Sequence, residues 1–166
     1  MVSFQEYIDE YRNQLKKGYI QKAYKGLLEY IMELRSYFQN KYSDYFVSGS
    51  IYHGYMDMTY FSFSPKRLKA QKLRIAVVFL HEAFRFEAWL AGYNKQVQSR
   101  YWKMIKKSGW NKYTLVPSTQ GADSIIEQVL VSDPDFSNPN VLTNQIENTV
   151  LRFISDIESF LAAHQP

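Results

Sequence analysis

The stretch VVFLHEAFRFEAWL, residues 77–90, decides how the middle of this chain folds. Four apolar residues lead into the charged pair His81-Glu82, and large apolar side chains then alternate with Arg85 and Glu87. Such alternation is typical of a half-buried β-strand. We therefore predict a strand over 73–80, a tight turn at His81-Glu82, and a returning strand over 83–91.

The returning strand has two faces, because successive side chains point to opposite sides. One face carries Phe84, Phe86, Ala88 and Leu90 and is expected to lie against the core. The other face carries Arg85, Glu87 and Trp89. A helix over 81–91 is the alternative, since that stretch has no β-branched residue and Gly92 could end it. His-Glu also lacks the Gly or Asn that hairpin turns prefer.

Upstream of this stretch, IYHGYMDMTYFSFS predicts a strand over 52–63, followed by the basic connection SPKRLKAQK. With the next two strands it forms an antiparallel meander. Two helices open the chain. Ser3 and Glu6 form a capping box for the first, which ends at Gly18, and an apolar stripe from Ile20 to Phe38 marks the second.

Downstream, Asn94 is expected to cap a helix over 95–108 that ends at Gly109. KYTLVPS predicts a short fourth strand over 112–118, ADSIIEQVLV a short helix over 122–131, and residues 142–161 an amphipathic helix. The predicted order is αα-βββ-α-β-αα. This is an α+β fold with a mostly antiparallel sheet of about four strands, covered by helices, in a single domain over 1–166.

Composition narrows the classes of function. The net charge of +4 permits an anionic partner without requiring one, and the 17% aromatic content favours an aromatic core. The chain has no cysteine, which excludes disulfides, thiolate metal sites and a cysteine nucleophile. The charged start does not resemble a signal peptide, and no apolar run is long enough to cross a membrane. We expect a cytoplasmic protein.

Catalytic and cofactor motifs are missing from the sequence. The three histidines, His53, His81 and His164, have no metal-ligand spacing, and there is no G-x-S-x-G, G-x-x-x-x-G-K or G-x-G-x-x-G. We therefore expect no metal and no cofactor.

One enzyme alternative rests on the order of elements, which resembles the restriction-endonuclease-like core. That resemblance implies an acid on one strand and Glu-x-Lys on the next, which together hold a divalent cation. Asp57 and Glu87 could be the two acids, but Trp89 stands where the lysine is expected. A tryptophan cannot neutralise a phosphate, so we expect such a site to be inactive and these acids to be solvated or internally paired.

A second resemblance covers nearly the whole chain. TYFSFSP, RFEAWLAGYNK, YW and GADSIIE resemble motifs of a family of small microbial proteins described as a domain of unknown function. The resemblance implies no catalytic residue. It directs attention to the polar and aromatic residues in or near these motifs, which we take as the candidate ligand-binding set: Arg85, Glu87, Trp89, Asn94, Lys95, Gln98 and Trp102.

The leading hypothesis is a non-catalytic binding or interaction domain with a polar-aromatic groove beside the basic helix 95–108. Its partner would be a small molecule or a protein, and a homodimer is compatible with the sequence. Basic and aromatic residues at 66–74 and 95–110 also fit nucleic acid, although such lysines more often only solvate a helix. We further predict that Arg85 and Glu87 belong to one polar cluster, in which they pair with each other or with groups on the following helix, and that Trp89 packs against it. The nearest donors and acceptors on that helix are Asn94, Gln98 and Tyr101. Val77, Phe79, Phe86 and Ile154 are expected to be buried.

Overall fold

The computed structural model describes residues 1–164. Within them lie five helices: α1 (Phe4–Lys17), α2 (Tyr19–Lys41), α3 (Lys66–Ala70), α4 (Lys95–Ser108) and α5 (Pro139–Ala163). The same residues form six strands: β1 (Tyr45–Val47), β2 (Met58–Pro65), β3 (Leu73–Leu80), β4 (Arg85–Gly92), β5 (Thr114–Leu115) and β6 (Ile126–Ser132).

The strands form one antiparallel sheet in the order β1-β2-β3-β4-β6-β5. The predicted α+β class is confirmed, as are the returning strand β4 and its pairing with β3, in which Leu80 lies opposite Arg85. The turn spans residues 81–84 rather than two residues. Phe84 ends it with φ of 51° and is 45% exposed, so it is not buried in the core as expected, although its ring packs edge-on against Phe79 at 5.4 Å. The left-handed backbone there turns the side chain away from the alternation of the strand.

The predicted helix over 122–131 is wrong, because residues 126–132 form strand β6. Its β-branched residues Ile126, Val129 and Val131 pair with β4, and this long-range pairing outweighs local preference. Four smaller differences accompany it. The basic connection contains helix α3, the short strand β1 had no predicted counterpart, and the predicted strand over 112–118 shrinks to β5. The predicted strand over 52–63 begins at Met58, with Tyr52 joined to Tyr60 by an isolated bridge.

One face of the sheet packs against the helices and is called here the closed face. Its side chains from β2, β3 and β4 form a single buried cluster with residues of α2, α3, α4 and α5, including Ile31, Phe38 and Ile157. The predicted core residues Val77, Phe79, Phe86 and Ile154 are each 1% exposed, as expected. Full burial of each such side chain contributes about 1.5–3 kcal/mol.

The opposite face, called here the open face, carries alternate residues of the same strands. Every buried apolar residue of α2, α3, α4 and α5 belongs to the closed-face cluster, so these helices lie on the other side of the sheet. Arg74, Trp89 and Tyr60 on the open face keep part of their surface accessible. Among residues 1–164, no helix has the length and apolar character needed to cross a membrane.

Candidate functional site

The open face carries a compact polar cluster on β4. Arg85 donates to Glu87 Oε1 through Nε at 2.9 Å, and its Nη2 lies 2.7 Å from the same oxygen. Trp89 donates from Nε1 to Glu87 Oε2 at 2.6 Å. The three residues are two positions apart along one strand, so their side chains share a face. The predicted Arg85–Glu87 pair and its contact with Trp89 are confirmed.

This cluster fixes the orientation of the indole. Glu87 is only 2% exposed, and each of its oxygens accepts a hydrogen bond from a neighbour on the same strand. The Trp89 ring borders a small recess of about 80 Å³, which is lined on the sheet by Tyr60, Ala76, Val78 and Ala91 and at its end by Arg74 and Asp123. Tyr60 itself lies against Tyr52, with ring centroids 5.0 Å apart. The floor of the recess is therefore aromatic, and its indole is held in place by Glu87.

A larger cleft of about 530 Å³ lies where β4 ends and α4 begins. A side chain at Gly92 could not fit there, because its Cβ would lie 2.5 Å from the Gln98 backbone nitrogen. Gln98 Oε1 accepts from the Gly92 N–H at 2.7 Å, and Asn94 Oδ1 caps α4 by accepting from the Val97 N–H at 2.9 Å. The other lining residues come from the start of α4 and the loop before β6: Lys95, Thr119, Gln120, Gly121 and Ala122.

The recess and the cleft share Arg74 and Asp123, and together they are called here the sheet-face groove. Its cleft end is cationic. Neither Arg74 nor Lys95 takes part in the ion pairs found within residues 1–164, and the first turn of α4 holds no acidic residue. Asp123 is the one acidic side chain that borders both parts in this region of the described chain.

The structure divides the predicted site residues into three groups. Trp89, Asn94, Lys95 and Gln98 line the sheet-face groove, while Arg85 and Glu87 support Trp89. Trp102 lies apart from them, with its Nε1 donating to the Val116 carbonyl at 2.8 Å and its ring against the core. The cluster therefore forms within β4 and not with the helix after Asn94, because Asn94 and Gln98 hold the start of α4 and Tyr101 donates to Gln71.

The two acids of the nuclease alternative do not share a site. Asp57 Oδ1 accepts from the Tyr55 N–H at 2.8 Å, and this bond, with a second from the Met58 N–H, lowers the pKa of Asp57. Both oxygens of Glu87 are occupied by Arg85 and Trp89, and β3 lies between the two carboxylates. Within the described part of the chain, no group of three metal-ligating side chains is close enough to hold an ion.

A second cleft was not predicted from the sequence. It measures about 690 Å³ and lies between α2, the turn 81–84 and the start of α5. This cleft is called here the α2–turn cleft. Most of its wall is apolar or aromatic, with Tyr24, Leu27, Tyr30, Met56, Phe84 and Phe136. These residues come from four separate parts of the sequence, so no local pattern could have indicated the cleft.

His81 lies on the wall of the α2–turn cleft. Its Nε2 lies 2.8 Å from Thr59 Oγ1, and its ring packs edge-on against Phe79 at 5.0 Å. Burial lowers the pKa of His81, although the nearby Asp57 acts in the opposite direction. The imidazole is therefore neutral at pH 7.

Glu147 is a buried carboxylate that joins two helices on the closed face. It accepts from Tyr37 Oη at 2.8 Å, from Lys41 Nζ at 2.7 Å and from Tyr42 Oη. Burial raises the pKa of Tyr42 to about 12, and its bond to Glu147 acts in the same direction. The donors all come from the last turns of α2 and its C-cap, so we assign this network to the fold rather than to a site.

Fold and site together define an α+β protein with a six-stranded antiparallel sheet, counted over residues 1–164, whose one face is free of helices. Residues 4–161 match the family described as a domain of unknown function, DUF7000. The chain belongs to this family, which confirms the resemblance drawn from its motifs. No curated protein and no solved structure matches the chain.

Proposed function

We propose that this chain is a non-catalytic binding protein of the cytoplasm, and that the sheet-face groove takes a small organic anion with a flat ring. The main support is that a cationic cleft and an aromatic recess lie side by side and share Arg74 and Asp123. A ligand that spans both parts would place its ring near Trp89 and Tyr60. Its acidic group would then lie beside Arg74 and Lys95.

The chemistry of each end supports this ligand class. An arginine binds a carboxylate or phosphate through two parallel N–H donors, and the first N–H groups of α4 add a favourable dipole. Trp89 is held by Glu87, so little side-chain freedom is lost when a ring packs on it. The enzyme alternative would need the oxygens of Glu87 for a cation, and these already accept from Arg85 and Trp89.

The test uses 2-naphthoate as the probe and isothermal titration calorimetry as the measurement. Arg74→Gln is expected to weaken its binding about tenfold, since a hydrogen bond to a charged group contributes about 1.5–3 kcal/mol. Trp89→Phe should weaken it by a smaller factor, because the ring surface shrinks. Lys103→Gln is the matched control, since Lys103 is exposed on α4 and lies outside the groove.

Equal 2-naphthoate affinity in the wild type, Arg74→Gln and Trp89→Phe would contradict the proposal. A single-stranded oligonucleotide provides the competing outcome, nucleic-acid binding. Its affinity would fall with salt by about one log unit per log unit for each phosphate contacted. Tight, salt-dependent oligonucleotide binding together with no binding of 2-naphthoate would replace the small anion by nucleic acid.

We also infer that two copies of the chain pair through α1. This helix has no buried residue, and Phe4, Ile8, Tyr11 and Leu15 follow one another at intervals of four, three and four. That is the spacing of a coiled-coil seam. A 14-residue helix is only marginally stable without a packed face. Covering the seam with a second copy would provide that face.

The charges of α1 favour an antiparallel arrangement of the two copies. Acidic residues lie in its first half, at Glu6, Asp9 and Glu10, and basic residues in its second half, at Arg12, Lys16 and Lys17. A two-fold axis between antiparallel helices places each acidic half against a basic half. Ile8→Glu should convert the dimer to a monomer in sedimentation analysis, whereas Asn13→Glu, on the side of α1 opposite the seam, should not. A wild-type chain that stays monomeric at about 100 μM would contradict the inference.

A further inference from the structure

The α2–turn cleft has the size and character of a site for a small organic molecule. Its volume of about 690 Å³ lies within the range of roughly 300–1,000 Å³ that ligand sites occupy. The wall is mostly apolar, and the charged residues that border it are of both signs, with Lys22 opposed by Glu29 and Glu33. The wall of the cleft is therefore mainly apolar and, in contrast to the cleft end of the sheet-face groove, has no excess of positive charge.

Two residues of the wall have a strained backbone. Met56 and Phe84 have φ of 62° and 51°, and they are two of the four non-glycine residues with positive φ within residues 1–164. Both present large apolar side chains that remain about half exposed. Phe84 also packs edge-on against Phe79 and Phe136, with ring centroids 5.4 and 6.1 Å apart. Such strain is concentrated at ligand sites, where it positions a side chain for a partner.

The hydrogen bonds around His81 determine which of its nitrogens carries the proton. Thr59 donates its one hydroxyl proton to the His53 carbonyl at 2.7 Å, so its oxygen can only accept from His81. The His81 Nε2, 2.8 Å away, therefore carries the proton, and Nδ1 has a lone pair. No hydrogen bond to Nδ1 exists among the described residues, and no buried side-chain atom there lacks a partner, so Nδ1 is accessible. It offers one acceptor on a residue that lines the cleft.

We propose that the α2–turn cleft binds a neutral aromatic molecule that carries a single O–H or N–H donor, such as a phenol or an aryl amine. The ring packs among Tyr24, Met56 and Phe84. The donor bonds to Nδ1 of His81. This site is separate from the sheet-face groove, because the two share no lining residue.

The first experiment measures the fluorescence of N-phenyl-1-naphthylamine, a neutral aryl amine that brightens in apolar surroundings. The full chain should enhance it saturably. Competition with a matched pair then tests the donor, because 2-naphthol and 2-methoxynaphthalene differ in the O–H group. We expect 2-naphthol to displace the probe at a concentration about 3- to 10-fold lower, the effect of one neutral hydrogen bond. Equal displacement by the two compounds would overturn the role of His81.

Phe84→Asn tests the cleft itself. Asparagine adopts positive φ readily, so the variant should keep its thermal midpoint within a few degrees while its affinity for the probe falls about tenfold or more. Tyr93→Asn is the control, since Tyr93 is 76% exposed and lies outside the cleft. Probe binding that is the same in Phe84→Asn and Tyr93→Asn would overturn the assignment of the site.

His81→Phe keeps a ring in place and removes the acceptor, so the preference for 2-naphthol should disappear while the probe still binds. Should this variant fail to fold, the ¹⁵N resonance of Nδ1 in the wild type provides the same test. It should move on addition of 2-naphthol and not on addition of 2-methoxynaphthalene. Loss of probe binding with rising protein concentration, in step with dimer formation, would overturn the proposal by showing that a second copy covers the cleft.

Discussion

The closed and open faces of the sheet are built from the same strands, yet they bury their residues in different ways. Phe86 and Glu87 are neighbours on β4 and are 1% and 2% exposed. Phe86 is covered by α2 and α5 through the central cluster, whereas Glu87 is covered by the neighbouring side chains that it holds in place. Within the described residues, Glu87 is therefore buried without a contact to the helices that bury Phe86.

A similar contrast separates the two buried carboxylates. Glu147 lies between α2 and α5 and accepts from two tyrosines and Lys41, all from elements distant in sequence. Glu87 accepts from residues two positions away on its own strand. The first carboxylate joins two helices. The second orients one indole.

The largest effect on stability is expected from Phe86→Ala. Removal of this ring from the closed face should lower the free energy of unfolding by about 3–5 kcal/mol, because a cavity remains among packed helices. Met58→Ala is the comparison on the open face, where Met58 is only half-buried, and it should cost about 1 kcal/mol or less. Urea unfolding measures both. Similar losses in the two variants would break the distinction between the faces.

Glu147→Gln should have the next largest effect, about 1.5–3 kcal/mol at pH 7, since hydrogen bonds to a charged group are lost. Burial would raise the pKa of Glu147, but donation from Lys41, Tyr42 and Tyr37 outweighs it and lowers the pKa below 4.5. The carboxylate therefore stabilises the fold above pH 4.5, and this contribution fades as the pH falls through the lowered pKa. Unfolding of both proteins at several pH values should show the difference between wild type and variant shrinking below that range.

Glu87→Gln should lower the free energy of unfolding by about 1–2 kcal/mol, less than Glu147→Gln, because Arg85 can turn its exposed guanidinium to water. The variant should also loosen the Trp89 ring. A change in the fluorescence anisotropy or near-ultraviolet circular dichroism of the indole would show this. Glu82→Gln, at an exposed position of the turn, is the control and should change neither quantity. A loss as large as that of Phe86→Ala would mean that the open face is as closely packed as the closed one.

The smallest effect on stability is expected from Arg74→Gln, within about 0.5 kcal/mol of the wild type, since Arg74 is exposed and belongs to none of the ion pairs seen in residues 1–164. Thermal unfolding measures it. Together with the expected loss of 2-naphthoate binding, this result would show that the open face can lose its ligand without losing the fold. A clear drop in the melting temperature would instead give Arg74 a structural role.

The part of the candidate site whose contacts are local could be predicted from the sequence. Arg85, Glu87 and Trp89 lie on one side of a single strand, so the alternation in residues 77–90 was enough to predict their cluster. The sheet-face groove needed more than one element. Arg74 comes from β3 and Asp123 from the loop before β6, and the antiparallel pairing of β4 with β3 and β6 brings them together. The α2–turn cleft needed four distant segments and had no sequence signal.

Periodicity, capping residues and glycine positions by themselves determined the meander of β2, β3 and β4, the limits of α1 and α4, and the amphipathic face of α5, because each follows from interactions within a few residues. Only the tertiary structure decided that residues 126–132 are a strand, that α2 through α5 all pack on one face of the sheet, and that Phe84 is half exposed at the edge of the core. These outcomes depend on which distant surfaces bury one another. A short apolar run such as SIIEQVLV suits a helix or a strand equally until a partner strand is available to accept its backbone hydrogen bonds.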